Sequence, residues 1–259
     1  MKSFILFLFL ISASGYSGES GDTCKNNDQF SFYSNLIQFY ERPKETECNL
    51  SGECPDGSTS LEQPDSEGIG GWEGKCGQTA ASNILKMHCD ENISPKSVGH
   101  YFDDSTPGVY PETAAKGLNR LFSFFGPKCP KGNWRVEELS EADRFLREIA
   151  FSLGDKFKGG HLNKPFYRTR KFYSKDGVFL SKRKERRSPI IALINAPGNE
   201  KGKALHYVTV VDMYSVNNKC RIVYNTWREQ HELPCDKFAE YSKKSETVGI
   251  SPYTLIKLK

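Results

Sequence analysis

Cys76, His206 and Asn225 have the types and the chain order that nucleophilic acyl chemistry requires. Cys76 stands in Gly74-Lys75-Cys76-Gly77-Gln78-Thr79-Ala80-Ala81, at the mouth of a predicted helix whose apolar positions 80, 81, 84 and 85 face a core. A helix N-terminus carries positive partial charge and unpaired N–H groups, so it favours thiolate over thiol and can also hold an oxyanion. Gly77 leaves room for a substrate carbonyl, and Gly70, Gly71 and Gly74 suggest backbone pressed close to a ligand. In an exported chain a cysteine more commonly packs in a core or joins a disulfide. No other cysteine here has glycines on both sides and a helix start after it, so Cys76 is read as the nucleophile.

His206 opens the apolar run Leu205 to Val211, about 130 positions downstream, and an imidazole there can take the thiol proton and return it to a leaving amine. A satisfied core histidine is the plainer use of such a position. Asn225 ends the run Arg221-Ile222-Val223-Tyr224 and, across a hairpin, could fix the imidazole tautomer; the alternative is a turn asparagine. Trp227, two residues on, favours the functional role. His88 sits at the far end of the nucleophile's own helix, and His100, His161 and His231 fall in predicted connections.

The elements that must position these residues change character along the chain. From Cys76 to Leu153 the signals are helical: Ser94-Pro95 and Tyr110-Pro111-Glu112 read as starts, Gly126 and Gly154 as stops. Ala114, Ala115, Leu118, Leu121, Phe122 and Phe125 form one apolar stripe. After Gly160 the pattern becomes strands, with a hairpin predicted around Lys175-Asp176-Gly177 and further strands over Pro189 to Ile194, Leu205 to Tyr214 and Arg221 to Tyr224. Phe30 to Tyr40 reads as one helix. Residues 1–17 read as a secretory signal, and no stretch reaches the roughly 18 apolar residues a membrane helix needs, so a secreted or periplasmic protein is expected.

The chain has 259 residues, a net charge of +4 and eight cysteines. If Cys76 is a catalytic thiol, seven remain, an odd number, so at least one more stands outside any internal pair. Cys220 with Cys235 is the expected pair, since both flank the turn region that carries Asn225. Zinc is disfavoured because no C-x2-C pair occurs, and no cofactor or metal is implied. Residues 156–187 hold twelve Lys or Arg against Asp176 and Glu185, interleaved with aromatics. That segment is either a docking surface for an anionic partner or a hairpin with one core face and one solvated basic face; the second is preferred.

The chain resembles the papain-like cysteine peptidase superfamily, with Cys76 at a helix start, His206 opening a strand, and Asn225-Thr226-Trp227 in place of that family's Asn-Ser-Trp. Around Cys76 and from Pro189 to Tyr214 it is similar to the bacterial branch of bacteriocin-processing peptidases, although that branch carries Asp-Pro at the third position. The resemblance implies an α+β, two-lobed fold: an N-terminal extension over 18–62, then a peptidase domain over 63–259 divided into a helical lobe (63–155) and an antiparallel β lobe (156–259). It also implies a peptide or protein substrate and an oxyanion glutamine. Gly70 occupies the position six residues before the cysteine where the family places that glutamine, so Gln63 is the counterpart, with Gln78 as rival. Two alternatives stay open: a non-catalytic binding protein or toxin on the same scaffold, and a cell-wall amidase or endopeptidase.

Overall fold

The computed structural model describes residues 39–40, 46–62, 75–102, 109–129, 132–153, 166–173, 178–195, 205–216, 219–243 and 250–259. The expected signal segment and Gln63 lie outside them. Ten strands are described: β1 (Phe39–Tyr40), β2 (Thr46–Glu47), β3 (Trp134–Glu138), β4 (Phe166–Tyr173), β5 (Phe179–Arg187), β6 (Ile190–Asn195), β7 (Leu205–Val216), β8 (Lys219–Thr226), β9 (Glu229–Pro234) and β10 (Thr254–Leu258). Seven build one sheet in the order β2-β9-β8-β7-β6-β10-β3, with every neighbouring pair antiparallel. β1, β4 and β5 form a separate three-stranded sheet.

β6 explains how the large sheet is used. All six of its residues are buried, a pattern that arises when both faces of a strand are covered. Ile191 and Leu193 join a core with Cys76, Ala80, Ile84, Leu118 and Leu121, whereas Ile190, Ala192 and Ile194 join a second core with Phe145, Ile149 and Phe238. The period-two alternation of side chains therefore sends one strand into two cores. Helices α1 (Cys76–Cys89), α2 (Pro95–Gly99) and α3 (Pro111–Phe125) belong to the first face; α4 (Ala142–Leu153) and α5 (Cys235–Lys243) cover the second, where Phe145 and Phe238 stack at 6.1 Å.

The helix ends follow local chemistry. Ser94 caps α2 by accepting from the Ser97 N–H, with Pro95 at the first position. α3 starts at Pro111 and stops at Gly126, whose φ of 47° an L side chain resists. Its expected stripe is buried at Ala114, Ala115, Leu118, Leu121 and Phe122.

The α+β class holds, with helices and an antiparallel sheet in one molecule. The expected division into a helical lobe followed by a β lobe does not describe the chain order. β3, within 63–155, pairs with β10 at the edge of the sheet, and α5 lies within 156–259. The expected extension is also part of the sheet, because β2 pairs with β9 and residues 48–62 bond to β8, β9 and α1. Phe39–Tyr40 is a strand rather than a helix end. β4 and β5 form the expected hairpin, but Val178, Phe179 and Leu180 are exposed, so these residues do not supply the core face anticipated for it.

Cys220 and Cys235 are bonded, as their placement suggested, and two further disulfides join Cys48 to Cys54 and Cys89 to Cys129. Among the described cysteines only Cys76 is free; Cys24 lies outside the described residues.

Candidate active site

Cys76 is the first residue of α1, and Lys75 before it offers no side-chain cap, so the first-turn N–H groups have no capping side chain. The thiol is buried. Burial raises its pKa above the ordinary thiol value; the backbone N–H groups of Tyr207, Gly77 and Cys76 itself act in the opposite direction. The Tyr207 N–H belongs to the residue directly after His206, so the sulfur lies against the start of β7.

Tyr207 and Val109 close the space beside the sulfur. A methyl group at Gly77 would meet Val109 at 3.4 Å and the Tyr207 ring at 3.5 Å, and the Tyr207 hydroxyl donates to the Val109 carbonyl. Burial and the negative charge that Cys76 and Glu112 would carry hold the phenol well above its usual pKa. It remains a neutral donor.

His206 is 5% exposed, and burial, with a smaller contribution from His231, lowers its pKa to about 3. Its Nε2 makes a short hydrogen bond with the Thr226 hydroxyl, and its ring stacks on Trp227 at 4.2 Å and 27°. Trp227 and Arg228 form the two-residue turn between β8 and β9, with φ of 48° and 61°. Positive φ at both positions is the geometry of a type I′ hairpin, which ordinarily uses Asn-Gly. A tryptophan held there is an outlier, and its indole covers the imidazole.

Among the described hydrogen bonds none joins Asn225 to His206. Its Nδ2 donates to Ser58 Oγ at 2.7 Å and to the Thr59 carbonyl at 3.1 Å, and its Oδ1 accepts from Gln230 Nε2 at 2.9 Å. Gln230 also donates to Asp56 and Ser58. The expected orienting contact therefore passes to the next residue, Thr226, and the cause is a register shift. From the β7–β8 turn the pairing runs Met213↔Ile222 and Asp212↔Val223, then irregularly to Val210↔Tyr224 and Thr209↔Asn225. Continued without that irregularity, it would set Asn225 opposite Val210, on the face that His206 shares. One extra residue in β7 turns Asn225 to the opposite face and presents Thr226 instead.

Leu61, two residues before Gln63, is fixed by its N–H to Asn83 on α1 and by its carbonyl to the Arg228 N–H. Gln63 itself is outside the described residues, and its rival Gln78 is buried in the first turn of α1. His231 lies on β9, not in a connection, bonded to Glu229 at 3.0 Å. His88 packs between Phe122 and Trp134 at the far end of α1. Two residues of the site were not singled out from sequence, Tyr207 and Thr226. The only signal for Thr226 was its place inside Asn-Thr-Trp.

Cys76 and His206 thus flank the same stretch of β7 with both groups electrically neutral: Cys76 lies in the first core with Tyr207, whereas His206 pairs with Ile194 of the second core, and neither is among the causes of the other's pKa shift. Backbone N–H groups are gathered on the sulfur, which suits them to a thiolate or to an oxygen carrying negative charge. Compared with protein-family models, with curated proteins and with solved structures, the chain matches none at a significant level.

Proposed function

We propose that the chain is a secreted cysteine peptidase of papain-like type, with Cys76 as nucleophile and His206 as general base. The supporting observation is one arrangement: a thiol outside every described disulfide, at the first residue of a helix, under the N–H of the residue that follows His206. With Nε2 engaged by Thr226, Nδ1 is the nitrogen for proton exchange. His206 takes the thiol proton as sulfur attacks the amide carbonyl, and the oxyanion is held by the Cys76 N–H, with Gln63 as the proposed second donor. The imidazolium returns its proton to the amine as the C–N bond breaks, leaving a thioester that water hydrolyses to acid and free thiol. Since burial keeps both groups neutral, the ion pair belongs to a state in which substrate or a side-chain shift brings Nδ1 to sulfur. Three disulfides suit the oxidising compartment that export implies.

The direct test is digestion of a mixed peptide library by wild type and Cys76→Ala. Cleavage by wild type and none by the variant is expected; undiminished turnover in Cys76→Ala ends the reading. One observation favours a second reading, a non-catalytic binding protein: burial raises the Cys76 pKa, and His206 does not offset it. A binding protein shows no library cleavage, and its iodoacetamide labelling at Cys76 rises only at alkaline pH.

A further inference from the structure

The β4–β5 hairpin takes no part in the site above. Its two strands contain eight Lys or Arg residues and a single acidic one, Glu185. The register pairs Arg170 with Arg183 and Lys171 with Lys182 on successive rungs, so basic positions face basic positions across the two strands. Successive rungs belong to opposite faces of the ribbon, so basic positions occupy both. Close to the turn the composition changes. Val178, Phe179 and Leu180 follow one another and are 61%, 53% and 52% exposed.

We propose that this hairpin docks the protein on an anionic lipid surface, with residues 178–180 entering the headgroup–acyl boundary and the basic strands lying among the lipid phosphates. Apolar residues at the end of a basic element match the two layers of such a surface. A nucleic acid could neutralise the same basic residues. It would leave Val178 and Leu180 uncompensated, since aliphatic side chains offer no face for base stacking, and one strand of phosphates would meet only one face of the ribbon. The proposal is independent of the reaction at Cys76.

Co-sedimentation with vesicles of phosphatidylcholine alone, and of phosphatidylcholine mixed with phosphatidylglycerol, tests it. Binding is expected only to the anionic vesicles and should weaken as salt is raised. Phe179→Ser combined with Leu180→Ser should lower that affinity by about tenfold or more, and Lys182→Glu combined with Arg183→Glu should abolish it at moderate salt. Far-ultraviolet circular dichroism and the alkylation rate of Cys76 report whether each variant remains folded. A further variant, Phe179→Trp, keeps the apolar character and adds a probe whose emission should be quenched by brominated lipid beyond the wild-type background. Absence of that extra quenching, or vesicle binding unaffected by the serine substitutions, overturns the proposal. So does tighter binding to a single-stranded oligonucleotide than to anionic vesicles, or binding to neither at low salt.

Discussion

An imidazole that stays neutral down to about pH 3 makes His206 a reporter of the fold as well as a candidate base. Its unfolded pKa is near the ordinary histidine value of about 6.5, so between these limits the unfolded chain binds the extra proton. Stability therefore falls as pH drops through that window, by up to about 1.4 kcal/mol per pH unit, and His206→Gln should flatten this part of a urea-denaturation profile. Asn225 predicts a different loss. Asn225→Ala strands buried groups on Ser58, Thr59 and Gln230, and should cost about 2 kcal/mol in the same measurement while making residues 46–62 more accessible to proteolysis. Cys76 and His206 stand out in the sequence because type, spacing and flanking glycines agree, and the fold sets the Cys76 thiol against the residue that follows His206. Asn225 was misplaced because the register irregularity lies within the apolar run Val208 to Val211, where an additional valine leaves no mark in the composition.

Among the elements, α3 shows both what periodicity reveals and what it hides. Its buried stripe and both ends followed from apolar spacing, Pro111 and Gly126. The role of Gly117 did not: a methyl group there would come within 2.8 Å of the buried Phe102 ring, a contact made across the fold and not along the helix. Alanine ordinarily stabilises a helix interior by about 1 kcal/mol over glycine. Gly117→Ala should instead lower thermal stability, by about 1–2 kcal/mol net, because the packing conflict outweighs the backbone gain. Strands β3, β9 and β10 were not anticipated for a related reason. β3 reads as charged, yet its Glu137 lies 2.6 Å from Lys257 on β10, so the two charged residues are matched within the fold. β9 is polar because Gln230 serves the Asn225 network. Partners remote in the chain are not visible in a local pattern.

For the molecule as a whole, the disulfides and the sheet order set what can be separated from what. Cys89–Cys129 closes the longest of the three loops, with a sequence separation of 40, and ties the end of α1 to the segment after α3. A chain-entropy model assigns such a loop about 4 kcal/mol, so Cys89→Ala with Cys129→Ala should cost more in thermal unfolding than the matching pair at Cys48 and Cys54. The cysteine count was legible from sequence to the extent of a free thiol, an odd remainder and one pair; the other pairings depended on where α1 and β8 lie in the fold. The placement of β10 between β6 and β3 has a further consequence, for biosynthesis. β3 leaves the ribosome long before the strand it must pair with, and the first core lacks Ile256 and Leu258 until then. During synthesis the nascent chain therefore presents an open β-edge beside an incomplete first core, and a chaperone holding that edge would also delay the closure of the core to which Cys76 belongs.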